Sequence, residues 1–184
     1  MPLSPDDLRA IVDELTTLLL GAPVQKARAE GQGCALELRK PGRSVWIQLS
    51  AQPGGEHLGV SLERANAAGP PTGFQKWLRQ EVVGGRLVGV GALASEAVAL
   101  DFERAGRPAR RLVLELLGKK SRLVLLNDQE KVLAGVGFEV PDAGEPYTRM
   151  STPARAARGF PKLEPLPGAQ FPLAEAAHRA HADT

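Results

Sequence analysis

The sequence predicts an α+β fold, with two antiparallel β-sheets arranged in a sandwich-like way and two flanking helices. Three observations predict it. Residues 5–20 place apolar side chains at three- and four-residue spacing, the helical period. Two later stretches, 34–62 and 87–136, alternate apolar and polar residues in short runs, the strand period. Glycine, proline and Asn-Asp pairs separate those runs at intervals too short for crossover helices, so the strands connect as hairpins.

The opening helix is announced by Ser4, followed by Pro5 in the first helical position and Asp7 three residues on, which is close to a capping box. Leu8, Ile11, Val12, Leu15, Leu18 and Leu19 then form one apolar face, and Gly21 with Pro23 ends the run. From Pro23 the period changes to two. Cys34, Leu36 and Leu38 alternate, the Lys40-Pro41-Gly42-Arg43 turn follows, and Val45, Ile47 and Leu49 alternate again, with Trp46 on the opposite face. Leu58, Val60 and Leu62 continue a small antiparallel sheet.

A second, shorter helix starts at Pro70-Pro71-Thr72. It carries Phe74, Leu78 and Val82 on one side, with Trp77 read as core, and stops at Gly84-Gly85. Five strands follow as an up-and-down meander: 87–90, 98–102, 112–116, 123–126 and 132–136. The run from Leu112 to Leu117 is apolar on both faces, as expected of a central strand covered by the other sheet or by helices.

After Phe138 neither period survives. The prolines and Arg149, Arg155 and Arg158 mark residues 141–172 as a linker, which makes 1–140 the folded domain. Residues 173–184 favour helix by propensity and read as the start of a truncated helical arm with nothing to pack on.

Composition limits the function. The chain has 184 residues, 43% hydrophobic and 24% charged, which is one ordinary domain with a tail and too apolar for a disordered chain. No apolar stretch approaches the ~18 residues that span a bilayer. Two acids near the amino terminus, Asp6 and Asp7, stand where a secretory signal carries positive charge, so a cytoplasmic location is expected and no membrane partner. The single cysteine, Cys34, excludes an internal disulfide, and the histidines at 57, 178 and 181 lack metal-ligand spacing, so no metal and no cofactor are expected.

Net charge is only +2, so an argument for nucleic acid must rest on where the charge sits. Arg104, Arg107, Arg110, Arg111, Lys119, Lys120 and Arg122 face one acid, Glu115, within a single stretch. Such a cluster suits an RNA backbone, because basic side chains neutralise phosphates and release counterions. It also suits a solvated strand edge guarded against aggregation. Lys119 and Lys120, in the turn after Gly118, are the strongest candidates, with Arg110, Arg122 and the helical Arg79 beside them, whereas Lys76 reads as solvation. Trp46, Trp77 and Tyr147 are possible stacking platforms. The Glu56-His57 pair lacks a third group for catalysis.

Several segments, in one order, resemble the amino-terminal domain of the NFACT family, once labelled a fibronectin-binding domain. They are 19–26, Leu49-Ser50-Ala51-Gln52-Pro53, 70–80 with Gly84-Gly85-Arg86-Leu87, 115–121 with 124–128, and Gly144-Glu145-Pro146-Tyr147. Phe171 to Ala177 resembles the beginning of the helical arms of longer members. The resemblance implies a two-sheet fold similar to the amino-terminal domain of formamidopyrimidine-type DNA glycosylases. It also implies a non-enzymatic role in ribosome-associated quality control of the RqcH/NEMF type, binding tRNA and the large ribosomal subunit in rescue of stalled translation.

In bacterial members an aspartate-arginine pair is tied to tRNA handling. Those members recruit alanyl-tRNA and support carboxy-terminal tailing of the stalled chain; the matching positions here are Ser95 and Glu96, which replace a phosphate-pairing arginine with an acid, so the resemblance does not carry alanine tailing to this chain. The family's serine-asparagine is likewise Ser121-Arg122. The alternatives are a DNA-repair glycosylase-like domain, for which Pro2 would be the nucleophile although Leu3 stands where a carboxylate is needed, and a surface adhesin, which would require export.

Overall fold

A computed structural model describes residues 3–63, 72–150 and 163–182. Helix α1 (Pro5–Leu19) begins where the sequence places it: the Ser4 side chain accepts a hydrogen bond from Asp7 N at 3.1 Å, Pro5 opens the first turn, and Asp6 and Asp7 face the positive end of the helix dipole. Its face of Leu8, Ile11, Val12, Leu15 and Leu19 is buried.

The chain then turns at Gly21, whose φ of +84° suits glycine, and enters β1 (Val24–Glu30). With β2 (Gly33–Lys40), β3 (Arg43–Ser50) and β4 (His57–Ser61), β1 forms a four-stranded antiparallel sheet in sequential order. Cys34 opposes Leu49, Leu36 opposes Ile47 and Leu38 opposes Val45, so this alternation fills one face. Leu62 lies past the end of β4 and is exposed rather than continuing that face.

Helix α2 (Gly73–Glu81) is capped by Thr72, whose side chain accepts from Gln75 N at 3.2 Å. It buries Phe74 and Leu78, and its buried Gln75 accepts from Ala29 N at 2.9 Å, which ties the helix to β1. The Gly84-Gly85 stop has a second use. Val24 N donates to Gly85 O at 2.8 Å and Gly84 N donates to Val24 O at 2.9 Å, so the start of the first sheet is stitched to the start of the second. A Cβ on Gly85 would meet Glu103 O at 2.9 Å, so glycine is required there by space, whereas Gly84 is required by its φ of +91°.

The second sheet is the expected meander, in the order β5 (Arg86–Ala94), β6 (Ala97–Arg104), β7 (Arg107–Glu115), β8 (Arg122–Leu126) and β9 (Val132–Gly137). One main core joins the inner faces of both sheets, with Ile47 and Val60 from the first and Leu100, Leu114 and Leu123 from the second. This is the two-sheet α+β architecture predicted from the alternation.

Three further expectations change. The outer face of β7 is covered neither by helices nor by the other sheet. Val113, with Ala99, Val124, Leu126 and Val132, forms a small second core closed by Val140 and Tyr147. Residues 141–150 therefore do not behave as a free linker. Val132 N donates to Glu145 O at 2.9 Å, Gly144 N to Val132 O at 2.8 Å and Tyr147 N to Glu130 O at 2.9 Å, which lays this segment along the sheet edge. The remaining linker positions 151–162, with Arg155 and Arg158, lie outside the described residues.

The last helix, α3 (Pro172–Ala182), packs against β4 and α1, contrary to the expectation that it would have nothing to pack on. Leu163, Phe171, Ala174, Ala176 and Ala177 join the main core. The Glu14 carboxylate of α1 accepts from Leu173 N at 2.9 Å and from Ala174 N at 3.2 Å, so an acid from another helix holds the amino-terminal end of α3. Small alanines allow the close approach, and that spacing looks featureless in sequence.

Candidate nucleic-acid interface

One end of the second sheet gathers the β5–β6 turn, the β7–β8 connection and residues 147–150. Strand β7 ends at Glu115, and a short 3-10 turn, η1 (Gly118–Lys120), follows. Gly118 has φ +61°, Lys120 N donates to Leu117 O at 3.1 Å, and Leu117 N donates to the buried Ser121 Oγ at 2.8 Å. These bonds fix the backbone and direct Lys119 and Lys120 outward. Both are exposed and neither makes an ion pair among the described residues.

Arg122, two positions on, is a different case and corrects the sequence reading. It is 3% exposed and directly paired with Glu115 across the β7–β8 ladder, at 1% exposed. Its remaining donors reach Glu139 O at 3.2 Å and Thr148 O at 2.7 Å. The other Glu115 oxygen accepts from Met150 N at 2.7 Å. The guanidinium is thus consumed internally and offers nothing to a phosphate. It organises the segment carrying Tyr147 and Arg149. The Tyr147 ring sits 5.5 Å from the Arg122 guanidinium, and burial, followed by the Glu115 carboxylate, pushes its phenol pKa upward.

Ser95 and Glu96 occupy the β5–β6 turn at this same end, where Leu116 N donates to Glu96 O at 2.7 Å. Arg149, which the sequence marks only as part of the linker, donates to Leu93 O at 2.8 Å and lines a cleft of about 80 Å³ with Ser95, Glu96, Glu115 and Met150. No periodic or motif signal marks Arg149, because an arginine in an irregular segment reveals its position only once the segment is anchored.

The other candidates lie elsewhere. Arg110 pairs with Glu81 of α2 at 2.8 Å, with side chains 15% and 10% exposed, and Arg111 pairs with Asp101 at 2.7 Å. The latter bond, outweighing partial burial, raises the Arg111 pKa. Arg110 is therefore largely engaged in holding α2 to the sheet, which corrects its reading as a free RNA contact. Arg79 and Lys76 are exposed on α2. Gln80 and Glu81, at the end of α2, meet Arg104 and Arg110, and Arg110 is five residues before Glu115 on β7, so this end of the helix lies roughly 17 Å along the strand from the Lys119 end. The structure does not merge Arg79 with Lys119 and Lys120 into one patch.

The aromatic readings divide. Trp77 is 36% exposed and belongs to the outer side of α2, a correction to its reading as core, whereas Trp46 is 2% exposed and closed to a base. Glu56 accepts from Gly54 N within its own turn at 3.3 Å. Its neighbour His57 is buried and stacks instead on His181, with ring centroids 4.4 Å apart. Among the described residues no group of histidine, cysteine or acid side chains has the arrangement to hold a metal ion. Cys34 is buried, and burial pushes its thiol up to about 12. Pro2 lies outside the described residues. None of the described helices is long and apolar enough to cross a membrane.

Two sheets stitched at the Gly84-Gly85 corner, with a basic turn at the far end of β7, can be compared with known proteins. The family model for NFACT N-terminal and middle domains matches residues 6–137, more than half the chain. The chain belongs to the NFACT family. Solved structures share the fold of this NFACT domain. The N-terminal part of the fibronectin/fibrinogen-binding protein from Streptococcus suis superposes with a TM-score of 0.69 at 20% identity, covering 84% of this chain and 62% of that one. The N-terminal domain of fibronectin-binding protein PavA from Streptococcus pneumoniae gives 0.71 at 22%, covering 86% and 65%. The fibrinogen-binding protein from Staphylococcus aureus gives 0.67 at 18%, covering 83% and 56%. This chain spans about three fifths of the length of those structures. No curated protein sequence matches it.

Proposed function

We propose that this NFACT domain is a cytoplasmic, non-enzymatic RNA-binding element of ribosome-associated quality control, which contacts tRNA and the large ribosomal subunit in rescue of stalled translation. Membership of the family supports the general role. The observation that carries the RNA contact is the Lys119-Lys120 pair, held outward by the Ser121 hydroxyl and the Gly118 turn with no ion pair among the described residues. Arg149 adds a third cation at the same end. Glu96 in the adjoining turn opposes an anion, so phosphate contact falls to the lysines and Arg149 rather than to the β5–β6 turn.

The test is tRNA affinity at two salt concentrations for the natural chain and for K119A/K120A. The proposal expects weaker binding and a salt slope shallower by about 1 for each lysine that touches phosphate. An unchanged slope would remove this site. A second reading rests on the names of the three solved relatives, which describe fibronectin and fibrinogen binding. Saturable capture of the chain by immobilised fibronectin, undiminished by competing tRNA, would favour that reading.

A further inference from the structure

The sequence separates His57 from His178 and His181 by more than a hundred residues, and the fold brings all three to one contact. His57, at the start of β4, stacks on His181 of α3 with centroids 4.4 Å apart and planes 5° from parallel, and lies 5.6 Å from His178, one turn earlier on α3. His57 is 3% exposed, and neither its Nε2 nor His178 Nδ1 has a hydrogen-bond partner among the described residues. The helix sits tightly here, since a Cβ on Gly59 would meet Ala174 O at 2.8 Å and one on Gly55 would meet His181 Cε1 at 3.3 Å.

This is not a metal site. Imidazole lone pairs lie in the ring plane, so the parallel, stacked rings of His57 and His181 direct theirs side by side instead of at one ion. Burial makes a charged imidazole costly at this contact, so protonation opposes docking.

We propose that the docking of α3 on β4 is a proton-released latch, in which protonation of the His57, His178 and His181 cluster frees the helix from the sheet. Burial, then the neighbouring His181 and His178, lowers the His57 pKa well below the usual histidine value. Burial also lowers those of His178 and His181. Among the charged groups around the cluster, Glu63 favours the His178 cation, and Arg28 and Glu30 of β1 line a pocket with His181.

The released state thus binds more protons than the docked one. Docking is undiminished above the ordinary histidine pKa and weakens as pH falls from there toward the lowered docked values. Glu14, at the other end of the contact, acts in the opposite sense. Burial raises its pKa, so the docked form takes up that proton more readily and acidification through Glu14 favours docking. Glu175 accepts from Phe171 N at that same end, and Arg179 rides on α3 itself.

The test is amide hydrogen exchange of residues 174–182 in the full chain at pH 7.5 and 5.5, corrected for intrinsic rates, with β8 amides as the internal control. One histidine titrating near 6.5 when released and far lower when docked changes the docking equilibrium about tenfold over that interval. A loss of protection of at least about tenfold confined to α3 is expected, and a smaller loss in His178→Phe and in His181→Phe, both of which keep an aromatic ring at the contact. Unchanged α3 protection in the natural chain would overturn the proposal. So would an undiminished loss in both variants with β8 intact.

Discussion

Arg122 and Lys120, two positions apart, carry the same formal charge into opposite surroundings. The side chain of Arg122 enters the sheet, where Glu115 and two carbonyls satisfy it, while Lys120 projects from a 3-10 turn into solvent. Removing Arg122 leaves a buried, uncompensated Glu115 carboxylate. R122M is expected to cost about 3–5 kcal/mol in urea unfolding, and E115Q/R122M should recover part of it, because no charge is then stranded. K119A/K120A should change stability by less than about 0.5 kcal/mol, the ordinary scale for exposed positions. Cys34 should resist alkylation in the folded protein at pH 8 and react fully in urea, since burial keeps it a thiol. Sequence showed the basic cluster but not this division. Arg110 and Arg122 sit in the same basic stretch as Lys119 and Lys120, and only the strand register that sets Glu115 against Arg122 and the α2 contact that sets Glu81 against Arg110 tell them apart.

Elements with a local cause were legible. Helix α1 follows from Ser4, Pro5 and an apolar spacing that names its buried face, and the meander follows from alternation between turn residues. T72A should destabilise by about 1 kcal/mol through loss of the α2 cap. The placement of α3 was not legible, because its causes lie in other elements: Glu14 at its amino-terminal end, Gly59 giving its backbone room and His57 beneath its last turns. G59A is therefore expected to loosen α3 selectively, seen as lost exchange protection at 174–182 with the second sheet unchanged. Only the His178-Arg179-Ala180-His181 spacing could have hinted at a histidine face, and it had no visible partner until β4 was placed. Trp77 was misread because a nine-residue helix with few apolar positions invites an aromatic into its core face, which Phe74 and Leu78 already fill.

At the scale of the molecule, one core spans both sheets and α3, and the basic features lie at opposite ends of the second sheet. A ligand touching both Arg79 and Lys119 must span roughly 17 Å, about the reach of several nucleotides of backbone and not of a small anion. The family was legible because several short motifs stand in the family's order along the sequence, and the family match covers residues 6–137. The candidate interface was legible at Lys119 and Lys120 but not at Arg149, whose position depends on Arg122 and Glu115 anchoring an irregular segment. The central claim is that this surface holds RNA on a ribosomal particle. Its most direct test is co-sedimentation of the chain with purified large ribosomal subunits, with and without peptidyl-tRNA, at low and high salt. Binding that requires peptidyl-tRNA, falls with salt and is weakened by K119A/K120A is the predicted result. Absence of the chain from the pellet at low salt with peptidyl-tRNA present would contradict it.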